Sequence, residues 1–161
     1  MKKTVITAFV LSLALGLSAC GGKTPSSSDN SSSQEIVAGD TMGSKYLAEF
    51  ANSDKETAAD CVKELLDLKA SEAELVEMEV EEGYLPGFDE EISGFTTGVQ
   101  FAPMIGTIPF VGYVFESEDP EALLKSLKDT ANPAWNICTE AEETVSYVRG
   151  NLVFFLMCPG E

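Results

Sequence analysis

The sequence contains no histidine, and it sets only 10 basic residues against 27 acidic ones. Without imidazole, the commonest general base, the Ser-His and Cys-His nucleophile pairs and the usual zinc and copper sites are removed. Carboxylate pairs and Ser-Lys chemistry stay open, but the expectation shifts to a domain that is not an enzyme. The net charge of −17 comes without any basic patch. Such a surface repels nucleic acid and anionic lipid head groups, so nucleic acid is not an expected partner. Chelating motifs are missing as well. The four cysteines include no C-x-x-C pair, and there is neither a calcium-loop pattern nor a Gly-x-x-x-x-Gly-Lys phosphate cradle. No cofactor and no metal is expected.

What is present begins with an address. Met1-Lys2-Lys3 is followed by an uncharged run from Thr4 to Ala19 and then by Cys20-Gly21. A basic start, an apolar middle and small residues at the end predict a secretory signal peptide over residues 1–19. The run is short for a membrane span, which needs about 20 apolar residues, and no basic stop-transfer cluster follows it. Leu17-Ser18-Ala19-Cys20 resembles the lipobox of bacterial lipoproteins. That resemblance implies a diacylglycerol on Cys20, which becomes the first residue after cleavage. Two acyl chains anchor stably where one does not. The protein is then expected on the extracytoplasmic face of the cell membrane, or on an outer membrane if the source has one. Residues 20–38 are rich in Gly, Ser and Asn and read as a flexible tether, with a typical reach of about 20 Å for its Gly/Ser stretch. The folded domain is expected over 39–161.

Lipidation of Cys20 would leave Cys61, Cys138 and Cys158, an odd number for an exported chain. Two arrangements stay open: a Cys138–Cys158 disulfide, or three buried apolar thiols.

Within the domain, Tyr46, Leu47, Phe50 and Ala51 share one helical face. Ser53-Asp54-Lys55-Glu56 reads as a capping box for a second helix that ends near Lys69, with Ala58, Val62, Leu65 and Leu66 as its apolar stripe. Val76, Met78 and Val80 alternate with Glu77, Glu79 and Glu81, which predicts a half-buried strand with one acidic face. No charge occurs between Ile92 and Phe115. Pro103, Pro109 and four glycines argue against a spanning helix, and the stretch reads as strands 97–102 and 107–116. Asp119-Pro120 opens a third helix, with Glu121 and Lys125 as an i,i+4 pair, and Asn132-Pro133 closes it. Gly150-Asn151 predicts a hairpin setting Arg149 opposite Leu152, Tyr147 opposite Phe154, and Val145 opposite Leu156. Its last strand is apolar on both faces and should lie inside the sheet. The fold class is α+β: a two-layer sandwich of about five mostly antiparallel strands with helices on one face. Phe101, Phe110, Phe154 and Leu156 should share its core.

Candidate functional residues are few. The acidic run from Glu72 to Glu91 reads as a solvated face that discourages edge pairing. Two loops place aromatics beside proline, and Tyr84, Phe88 and Trp135 are the candidate partner-binding residues. The ordinary role of such aromatics is to cover the core. Leu17-Ser18-Ala19-Cys20-Gly21-Gly22, the segment from Ile105 to Phe115, and Gly150-Asn151-Leu152-Val153-Phe154-Phe155 together resemble small uncharacterised lipoproteins of clostridial Gram-positive bacteria. The resemblance implies a surface lipoprotein and transfers no activity. The expected function is therefore a membrane-tethered extracytoplasmic lipoprotein with a non-catalytic binding or protein-interaction domain, its partners being the lipid bilayer through Cys20 and a protein at the cell surface. The alternatives are a small carboxylate-dependent enzyme or a solute-binding accessory of a transporter.

Overall fold

The computed structural model describes residues 35–160, so the leader and Cys20 lie outside the described residues. Three helices and a five-stranded antiparallel sheet form an α+β sandwich. The helices are α1 (Met42–Asn52), α2 (Ala58–Asp67) and α3 (Pro120–Thr130). The strands are β1 (Leu75–Val80), β2 (Gly83–Tyr84), β3 (Glu91–Ile92), β4 (Thr97–Pro103), β5 (Val111–Glu116), β6 (Glu143–Arg149) and β7 (Leu152–Cys158). The main sheet runs β1-β4-β5-β7-β6, and β2 pairs with β3 in a small separate ribbon. Among the described residues, no helix is long and apolar enough to cross a membrane.

The final hairpin has the register its turn dictates. Gly150 adopts φ 62°, and Arg149 faces Leu152, Tyr147 faces Phe154, and Val145 faces Leu156. β7 lies between β5 and β6, and all seven of its residues are buried. A strand apolar on both faces needs cover on both, and this decides the layering. Tyr46, Phe50, Val62 and Leu65 of α1 and α2 pack one face, against Phe101, Phe110, Phe154 and Leu156. The expected shared core is present there. On the other face, Tyr113, Phe115, Val153, Phe155 and Met157 pack against Leu123 and Leu127 of α3 and against Leu85, Phe88, Ile92 and Phe95. One detail of the sequence reading is thereby corrected: α1 and α2 share a face, but α3 lies on the opposite one.

Several local expectations shift for identifiable reasons. Ser53 does not cap α2. Its N–H closes α1 onto the Phe50 carbonyl, and its hydroxyl donates to Glu64. The cap is Thr57, four residues later, whose Oγ1 accepts from the Asp60 N–H at 3.2 Å. Both positions fit the same spacing rule, and packing selects the second. β5 starts at Val111 instead of Thr107, because Pro109 has no N–H and tight turns close at Thr107→Ile105 and Phe110→Ile108, each 2.8 Å. Lys125 pairs with Asp129 rather than with Glu121. The tether expected to reach residue 38 is already fixed at Ile36, whose N–H and carbonyl pair with the Asn52 amide at 3.0 and 2.8 Å.

Two sheet carboxylates complete the helix N-termini. Glu143 of β6 accepts from the Gly43 N–H at 2.9 Å, and Glu116 of β5 accepts from the Ala58 N–H at 2.8 Å. Each puts negative charge at the positive end of a helix and satisfies a donor the helix cannot satisfy itself. Arg149 then clamps the α1–α2 connection. Its guanidinium donates to the carbonyls of Phe50 (3.2 Å) and Lys55 (2.8 Å) and lies 5.0 Å from the Phe50 ring centroid.

Candidate functional site

On the α3 side the cover is incomplete. α3 packs on β6 and β7, and the 85–95 segment packs over β5 and β7, which leaves the corner formed by β1 and β4 open. The register sets Val76 opposite Ala102 and Met78 opposite Gln100, so these four side chains share that open face. Met78 is 57% exposed as a result. At one end of this face two loops converge. The β4–β5 loop exposes Met104 and Ile105, and the loop after α3 exposes Ile137 completely, at 101%. Asn136 binds the loops together by donating to the Gly106 and Ile108 carbonyls, both at 3.2 Å. The result is a groove of about 430 Å³ lined by Gln100, Ala102, Ile108, Trp135 and Ile137.

The groove floor carries the distinctive group. Gln100 is only 7% exposed as a residue, but its side-chain amide is not among the buried groups left without a partner: its polar atoms reach the groove. The amide presents two donors and an acceptor to whatever occupies the groove. The groove's apolar lining includes Ala102, Ile108, Trp135 and the exposed Ile137.

The three aromatics singled out from sequence separate here. Trp135 is half-buried and forms a wall of the groove. Tyr84 is exposed on β2 and does not line it. Phe88 is a core residue, which corrects the expectation that it faces a partner. Its ring lies 5.7 Å from Tyr113 and 5.3 Å from Phe155, and its neighbours Gly87 and Asp89 are bonded to the end of α3. The two residues that matter most, Gln100 and Met78, were not functional candidates from the sequence. Gln100 does interrupt a strand that is otherwise free of long polar side chains, and that is the one signal that could have found it. Met78 reads as core because alternation identifies a face without saying what covers it.

The cysteines follow neither arrangement left open by the sequence. Cys61 and Cys158 are buried, Cys138 is exposed, and none is disulfide-bonded. Burial pushes the Cys158 thiol up to about 12, helped by the Glu143 carboxylate 3.7 Å away. Burial also raises Cys61, against the pull of Arg149. Neither thiol is activated as a nucleophile. Among the described residues, no cluster of three or more His, Cys, Asp or Glu side chains could hold a metal ion. Glu77 and Glu79 stand exposed on the edge strand.

A larger cleft, about 800 Å³, opens between residues 35–38 and the α1–α2 turn. Its Lys55 ammonium is already matched. Lys55 contacts Asp54 at 2.7 Å and Glu64 at 3.9 Å. The hydrogen bond from Lys55 holds Asp54 below the usual carboxylate range, and Asp54 raises Lys55 in return. Both shifts move these groups away from proton exchange near neutral pH.

No protein-family model matches the chain, and comparison with curated proteins and with solved structures found no match.

Proposed function

We propose that the chain is a bacterial lipoprotein anchored through Cys20 on the extracytoplasmic face of the membrane, and that its domain is a non-catalytic module binding an extended segment of another surface protein. The observation that carries the binding reading is the groove that holds Gln100, Trp135 and Ile137, on a sheet corner and loops that leave Met78, Met104 and Ile105 exposed. A side-chain amide offers one acceptor beside two donors, the complement of a backbone peptide group. A peptide laid along the open β1–β4 corner would pair with the Gln100 amide and cover the exposed apolar side chains. The leader, the Cys20 motif and the Gly/Ser-rich tether support the address. The acidic surface favours neutral or basic partner segments over acidic ones.

The address is tested by metabolic labelling with a fatty-acid analogue, where Cys20→Ala should lose the label and the membrane association. The groove is tested by a photocrosslinking residue at Ile137 in intact cells, with Glu79 as the control position. A discrete crosslinked species from Ile137 that disappears on Gln100→Leu supports the reading. A crosslink that persists or strengthens with Gln100→Leu shows that apolar contact alone drives it. Crosslinks to lipid only would make the groove a membrane contact and retire the peptide reading.

A further inference from the structure

A second hollow lies on the opposite side of the sheet, under the segment joining α2 to β1. It has a volume of about 350 Å³ and is lined by Tyr46, Leu66, Lys69, Glu72, Glu74 and Leu75, with Ser71 and Ala73 between them. Tyr46 is completely buried, and its ring is fixed by Phe101 and Phe110 at 5.8 and 5.7 Å. Its hydroxyl is the one buried side-chain polar atom among the described residues with no hydrogen-bond partner. Burial raises the phenol, and the nearby Ser71 backbone offsets only part of that. At neutral pH the group is therefore a protonated phenol without a protein acceptor, on a residue that lines the hollow.

The rim has charges of both signs. Lys69 follows α2 in a left-handed conformation, φ 50°, the only non-glycine among the described residues to do so. This turns the chain out of the helix at the mouth of the hollow, and no carboxylate of the described residues pairs with Lys69. Glu72 and Glu74 stand exposed on the other part of the rim. Leu66, Ala73 and Leu75 supply an apolar lining.

From this arrangement we infer that the hollow is a binding site for a small aliphatic zwitterion, a free α-amino acid. The ligand carboxylate accepts from the Tyr46 hydroxyl and meets the Lys69 ammonium. The ligand ammonium faces Glu72 and Glu74, and an aliphatic side chain lies on the leucines. The volume falls within the range of small-molecule sites, about 300–1,000 Å³. Both ligand charges find opposite charge, and the buried donor finds the acceptor it lacks. The inference is independent of the peptide groove, which lies on the other face and uses none of these residues.

The test is equilibrium dialysis of L-leucine against the full-length protein in detergent micelles, with N-acetyl-L-leucine and L-leucinamide as probes lacking one charge each. L-Leucine should bind saturably, and each derivative should bind at least about tenfold more weakly, a difference of about 1.4 kcal/mol. Tyr46→Phe should weaken L-leucine binding by a similar factor while leaving the thermal midpoint unchanged or higher, because it removes a hydroxyl that no protein group satisfies. Lys69→Met, an exposed change, should weaken binding as well. Failure of L-leucine to saturate, equal binding of the derivatives, or unchanged binding by Tyr46→Phe would each overturn the assignment. Ile137→Asp, in the groove, should not alter L-leucine binding, and a loss with that variant would also count against it.

Discussion

Gly112→Ala tests how tightly the α1–α2 core is closed. Gly112 of β5 lies opposite Phe101 of β4. A Cβ at position 112 would sit 2.2 Å from Phe101 Cζ and 2.4 Å from Cε1. The ring lies across the glycine and cannot swing away, because it is fully buried and flanked by Tyr46 at 5.8 Å, Phe110 at 5.8 Å and Phe154 at 6.4 Å. Overpacking of this kind costs about 1–3 kcal/mol. Replacing glycine lowers the entropy of the unfolded chain and returns about 0.4–1 kcal/mol. The net loss should be about 1–2 kcal/mol, a fall of roughly 3–10 °C in thermal midpoint for a domain of this size. Urea unfolding of the single and double variants measures it. Phe101→Leu opens a cavity on its own, but combined with Gly112→Ala it should cost less than the sum, with a coupling of at least about 0.5 kcal/mol. A Gly112→Ala variant within about 0.5 kcal/mol of the parent, or a strictly additive cycle, would refute the closed-core argument.

Four further outcomes are expected. Phe154→Ala should cost about 3–5 kcal/mol, because the ring is fully buried and stacks at 5.1 Å on Phe50; Trp135→Ala, on a half-buried groove wall, should cost clearly less in the same denaturation assay. Iodoacetamide at neutral pH should modify Cys138 and spare Cys61 and Cys158 until denaturant is added, as read by mass spectrometry; stability should hold up to about pH 8.5 and fall above it, because the unfolded chain releases its thiol protons near their ordinary value while Cys158 holds its proton to about 12 in the fold, and Cys158→Val should flatten that decline. Glu143→Ala and Glu116→Ala should each cost about 0.5–2 kcal/mol, with hydrogen exchange accelerating at the Gly43 and Ala58 amides they cap; equal exchange in the parent and the variants would remove the capping role.

Local chemistry settles most of the elements before any tertiary contact is known. Glycine at position 150 admits the left-handed turn, and the hairpin register follows from a two-residue loop. Asp119 and Pro120 start α3 because one supplies an acceptor and the other needs no donor. Strand β7, apolar on both faces, has to be interior, and its partners Phe101 and Phe110 gather with it. Rules of this reach extend over a few residues, and they leave coverage open. Whether α3 joins α1 and α2 or crosses to the other face depends on where its connections land on the sheet. That placement buries Phe88 and leaves Met78 exposed. It separates three cysteines of identical chemistry into two buried thiols and one exposed. The Tyr46 hydroxyl reads as core from its helical spacing, and only the path of the 69–75 segment above it leaves the O–H without an acceptor. Period and turn signals are carried by neighbours in the chain, whereas an uncovered face or an unmatched donor is a property of what the rest of the molecule fails to reach.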